Sequence, residues 1–106
     1  MEVFAFVGAS GTGKSHNSQN VAADYSIDYI IDDALLIKQN KVIAGKSAKT
    51  EPTKIGSVKA ALFIDEARAK AMRNAIKAEN IEKILILGTS NEMVDKIAEN
   101  LHLPKI

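Results

Sequence analysis

Eight residues near the amino end, Gly8-Ala9-Ser10-Gly11-Thr12-Gly13-Lys14-Ser15, carry the densest chemical signal in the chain. Their spacing is GxxxxGK followed by Ser, whose chemistry is the wrapping of a phosphate chain. Glycines at 8, 11 and 13 let successive backbone N–H groups converge with no Cβ in the way, and a following helix aims its positive end at the same point. On this reading Gly8, Ser10, Gly11, Thr12, Gly13, Lys14 and Ser15 hold the phosphates of a nucleoside triphosphate. Lys14 reaches the β and γ phosphates, and the Ser15 hydroxyl binds a Mg²⁺ that bridges them. Average residue frequencies produce such a string in roughly one chain in three hundred of this length, so coincidence is the weaker explanation.

A second cue is the pair Asp32-Asp33 behind the apolar Tyr29-Ile30-Ile31. Successive strand side chains point to opposite faces, so one carboxylate faces the Mg²⁺ while the other caps a turn. The most apolar run, residues 84–87, ends in Gly88-Thr89-Ser90 without an acid, which leaves Asp32 or Asp33, or neither, to supply it. Both remain open as simple turn residues before a hairpin. Through residues 3 to 15 the chain resembles the P-loop nucleoside triphosphatases. The stretch Tyr29-Ile30-Ile31-Asp32-Asp33-Ala34-Leu35-Leu36-Ile37 is similar to the apolar-apolar-Asp-Asp segment of HPr kinase/phosphorylase and its phosphoenolpyruvate-carboxykinase-like relatives. In that family one acid is the general base on the accepting hydroxyl and the other helps hold Mg²⁺, so the resemblance implies those roles for Asp32 and Asp33. It covers residues 1 to 45 or so. The segments after residue 55 do not follow that family's mainly antiparallel continuation, and no histidine precedes Gly8.

Other elements must position these residues. Residues 2–7 predict a buried parallel strand, and a helix of poor apolar character is expected over residues 14–24. Residues 28–31 read as a second strand. Leu35-Leu36-Ile37 and Val42-Ile43 flank Lys38-Gln39-Asn40-Lys41, a hairpin because Asn tolerates the left-handed conformation a tight turn needs. Residues 45–53 read as a loop. Helical pattern returns over residues 55–79, breaking near Asp65, a cap for the second piece, with Ala67, Ala71, Met72, Ala75 and Ile76 on one face. Residues 84–87 form a third strand. Thr89 with Glu92 predicts a capping box for a helix that turns Met93, Val94, Ile97, Ala98 and Leu101 inward. The expectation is a single α/β domain over residues 1–106: small, three-layered and P-loop NTPase-like, with at least three parallel strands flanked by helices plus a β-hairpin.

Composition narrows the functional classes. With 106 residues, 46% apolar and 25% charged, the chain suits one soluble globular domain. No apolar run approaches the ~20 residues of a membrane span. With no cysteine, disulfide frameworks and thiol chemistry are excluded. Glu2 stands where a signal peptide needs basic charge, so the chain reads as cytoplasmic. The net charge is +1, unevenly spread: residues 38–59 hold six lysines (38, 41, 46, 49, 54, 59) against Glu51, a local +5. That run is either a solvated face or a flap, with Lys46, Lys49 or Lys54 swinging over the γ phosphate. It holds no aromatic residue or arginine, so nucleic acid is disfavoured. Gly45-Lys46-Ser47 repeats the end of the phosphate motif without its first glycine, and neither His16 nor His102 has companions for catalysis or metal binding. No Asn-Lys-x-Asp string occurs, which leaves ATP favoured over GTP. The expected function is Mg²⁺-dependent ATPase or kinase-like phosphoryl transfer to an acceptor the sequence does not reveal. The alternative is a nucleotide-binding or regulatory module without turnover, whose missing groups come in trans from a protein partner or a second copy.

Overall fold

A computed structural model of the chain describes residues 1–8 and 20–104. Five strands, β1 (Glu2–Val7), β2 (Tyr29–Asp32), β3 (Leu35–Lys38), β4 (Lys41–Gly45) and β5 (Lys83–Gly88), form one sheet in the order β1-β5-β2-β3-β4. β5 pairs in parallel with β1 on one side and β2 on the other, whereas β2, β3 and β4 form an antiparallel meander. Residues 20–24 are helical, labelled α1, and the later helices are α2 (Lys54–Ala61), α3 (Glu66–Glu79) and α4 (Asn91–Asn100). The α/β expectation holds as a mixed sheet flanked by helices. The expected helix over residues 14–24 falls largely outside the described residues.

The central position of β5 follows from its composition. Ile84, Leu85, Ile86 and Leu87 are all buried, and a run with no polar alternation needs cover on both faces, as parallel central strands have. Each such side chain contributes about 1.5–3 kcal/mol on burial. On one face Ile84 and Ile86 join Val3, Tyr29, Ile31 and Leu36 against Met72, Ile76, Val94 and Ile97. On the other, Leu85 and Leu87 join Ile30 and the half-buried Phe4 and Phe6 against Val21, Ala22 and Ile27. Thus α3 and α4 cover one face and α1 packs on the other. Asn100 ties the helical layer together: its side-chain amide donates to the Leu62 carbonyl at 2.8 Å, and its carbonyl accepts from Arg73 at 3.0 Å.

Local chemistry sets the boundaries of the elements. The expected break near Asp65 is present, with the Asp65 carboxylate accepting the Ala67 N–H at 3.1 Å and capping α3. The buried stripe of α3 is Ala69, Met72 and Ile76; Ala67 and Ala71, expected to face inward, are exposed. Alanines at 67, 69, 71 and 75 make two stripes nearly equal in apolar character, and contact with the sheet selects one. The capping box also shifts. Ser90, not Thr89, caps α4 by accepting the Met93 N–H at 3.1 Å, because adjacent hydroxyls offer two start sites one residue apart. Within α4 the stripe of Val94, Ile97 and Ala98 is buried as the spacing predicts. Among the described residues no helix is long and apolar enough to cross a membrane.

Both hairpins use two-residue turns in the left-handed region, Asp33-Ala34 (φ 52° and 63°) and Gln39-Asn40 (φ 48° and 70°). This is the type I′ pattern, whose twist matches that of the flanking strands. The second turn is the hairpin expected around Asn40. The first forces Ala34, a buried residue with a Cβ, into a conformation glycine usually fills. Across from it Gly45 has φ +92°, and a Cβ there would lie 2.3 Å from the Ala34 carbonyl oxygen. Gly45→Ala should therefore destabilise the domain by about 2 kcal/mol or more, through strain and collision together. Ala34→Gly should change stability by less than about 1 kcal/mol. Urea denaturation midpoints at constant slope check both.

Candidate functional site at the carboxyl ends of the parallel strands

The parallel strands β1, β5 and β2 end together. Val7 is paired with Gly88, and Ile31 with Ile86, so Gly8, Gly88 and Asp32 lie at one end of the sheet. The Gly8 N–H donates to the Gly88 carbonyl at 3.1 Å, fixing the first glycine of the phosphate motif against the end of β5. α1 lies on one face of the sheet, while β5 passes through Thr89 and Ser90 into α4 on the other. Adjacent parallel strands whose following helices take opposite faces leave a crevice between their ends, the usual ligand position in open α/β sheets. Ser10, Gly11, Thr12, Gly13, Lys14 and Ser15, and with them His16, lie outside the described residues.

Gly88 owes its identity to this geometry. A Cβ on it would come within 2.7 Å of Val94 Cγ2, so its absence lets α4 pack tightly onto the strand end. The sequence marked Gly88 only as the end of an apolar run; its role appears once Val94 is seen to pack against it.

The two aspartates occupy different environments. Asp32 is the last residue of β2, half-buried, and strand alternation puts it on the face of Ile30, the face that packs Val21 and Ala22. It therefore shares a face with α1. One strand lies between β1 and β2, an offset of about 10 Å at ordinary strand spacing. Asp33 opens the β2–β3 turn. Its carboxylate accepts a hydrogen bond from the Ser47 hydroxyl, and its carbonyl accepts the Ala48 N–H at 3.2 Å. Ser47 in turn caps the short 3-10 turn Ala48–Thr50 by accepting the Lys49 N–H at 3.2 Å. Residues 45–47, which echo the phosphate motif, thus have their hydroxyl engaged with a carboxylate rather than presented to an anion.

The basic run divides between the two ends of the sheet. Lys38 and Lys41 flank the β3–β4 turn at the far end, where Lys38 lies 5.3 Å from the centroid of its cross-strand neighbour Tyr29. Because Leu35 pairs with Gly45, the loop that follows β4 starts beside the Asp33 turn, bringing Lys46 and Lys49, both exposed, to the end that carries Gly8 and Asp32. Arg68 secures that loop by donating to the Lys46 carbonyl at 2.6 Å and to Glu51 at 2.7 Å. Arg73, the other arginine of the chain, pairs with Glu66. Among the described residues no three His, Cys, Asp or Glu side chains form a metal cluster.

Ser47→Ala removes the donor that holds Asp33 and should cost about 1–2 kcal/mol of stability, measured as a shift in the denaturation midpoint. Comparison with models of protein families, with characterised proteins and with solved structures finds no match to this chain.

Proposed function

We propose that the chain is an ATP-binding domain of P-loop type that transfers or hydrolyses the γ phosphate with Mg²⁺. The observation that carries this reading is the position of Gly8. The glycine that opens the GxxxxGKS string stands at the carboxyl end of a parallel strand, bonded to Gly88 where the following helices take opposite faces. In this proposal the backbone of residues 8–13 and Lys14 hold the phosphates, and Ser15 with Asp32 holds Mg²⁺. The metal neutralises charge developing on the phosphoryl oxygens. Asp32 is the stronger candidate for the acid because it ends β2 at the same end of the sheet as Gly8, on the face that carries α1.

A second reading is favoured by one observation. Both arginines are engaged, Arg68 with Glu51 and Arg73 with Glu66, so neither stands ready to stabilise a transferring phosphoryl group. The chain would then bind ATP without turnover, or depend on a protein partner or second copy for the missing cation. Phosphate release from Mg²⁺-ATP by the isolated chain separates the two.

Lys14→Ala should lower ATP affinity about 100-fold or more with an unchanged unfolding midpoint; retained affinity rejects the phosphate-loop assignment. If the chain turns ATP over, Asp32→Asn should slow it about 10²-fold or more, whereas Asp33→Asn should act mainly on stability. The combined Lys46→Ala, Lys49→Ala and Lys54→Ala variant should weaken ATP binding about fivefold in low salt, with the difference closing at high salt. Equal affinity at low salt would reduce the run to a solvated face.

A further inference from the structure

A cleft of about 640 Å³ opens between α2 and the start of α4, lined by Val58, Ala61, Leu62, Thr89, Ser90, Glu92, Met93 and Lys96. We propose that it seats the purine base of the nucleotide, an inference that rests on the phosphate-site reading above. Its position supports this first. Thr89 follows Gly88, whose carbonyl accepts the Gly8 N–H, so the mouth of the cleft begins one residue from the anchor of the phosphate motif. The α4 side is where a ligand with phosphates at Gly8 meets an apolar wall, since β5 leads through Thr89 and Ser90 directly into α4.

The lining has the chemistry of a heteroaromatic ring site. Val58, Ala61, Leu62 and the Met93 thioether form an apolar, polarisable wall, and Val58 is 51% exposed although apolar. The Glu92 carboxylate and the Lys96 amine supply an acceptor and a donor for ring edges, beside the Thr89 and Ser90 hydroxyls that bind Met93. A mostly apolar cleft with a few polar groups, in the size range of small-ligand pockets, is the usual form of such a site. The phosphoryl acceptor belongs elsewhere. It must approach the carboxylate that activates it, and Asp32 lies on the opposite face of the sheet from α4.

Calorimetric titration of Mg²⁺-ATP and Mg²⁺-tripolyphosphate onto the wild-type chain and onto Ala61→Leu and Val58→Gln tests the proposal. The wild type should bind ATP at least about tenfold more tightly than tripolyphosphate, which has no base. Each variant should remove most of that ratio while tripolyphosphate affinity stays within about twofold. Should Ala61→Leu fail to fold, Val58→Gln, at a half-exposed position, carries the same measurement. Tripolyphosphate binding with an ATP ratio near one, or with a ratio untouched by the variants, overturns the base site and leaves the phosphate reading intact. Absence of binding by both anions removes the phosphate reading and the base site with it.

Discussion

Burial of β5 on both faces and along both edges is the constraint to which the other elements answer. Its four consecutive apolar side chains need neighbours above, below and on each side, and β1 and β2 provide the lateral hydrogen bonds. The chain must therefore insert a late strand between two early ones. To do so it leaves the meander at β4 and crosses back over one face with α2 and α3, while α1 packs against the other face. The placement of α1 and α4 on opposite faces, and the meeting of Gly8 and Gly88 at one end of the sheet, follow from that insertion.

The distribution of helices also separates two kinds of chemistry. Asp32 belongs to the α1 face, and the cleft between α2 and α4 belongs to the other, with β5 between them. The proposed phosphate site at that strand end would stand between an acid on one face and an apolar wall on the other. The loop after β4 reaches the same end of the sheet because two tight turns fold β2, β3 and β4 into register. Left-handed backbone at Asp33, Ala34 and Gly45 maintains that register, held by the Ser47 hydroxyl and the Arg68 guanidinium.

Several of these features were legible from residue order. The continuous run at 84–87 identified a buried strand, the alternation and Asn40 identified a hairpin, and Asp65 identified a helix start, because each signal depends on neighbouring residues. Errors arose where a local signal was degenerate. Thr89 and Ser90 are both good caps, and a helix with alanines at 67, 69, 71 and 75 can bury either of two stripes. Asp32 and Asp33 were indistinguishable as types and separated only when the turn placed Ser47 against the second. For Gly88 and the cleft there was no local signal, since Val94, Val58 and Ala61 approach through packing of distant segments.

Sequence alone determined the chemical vocabulary of this protein: a glycine-rich string with Lys14 and Ser15, two acids behind an apolar run, a lysine-rich stretch, and the periods of strand and helix. These are properties of spacing along one chain, and spacing decides local hydrogen bonding and which side chains share a face. Tertiary structure decided strand order, the face on which each helix lies, and therefore that Gly8, Gly88, Asp32 and Lys46 meet at one end of the sheet. That outcome depends on filling the space around β5 with segments up to some eighty residues apart, a packing condition that no window of the sequence contains.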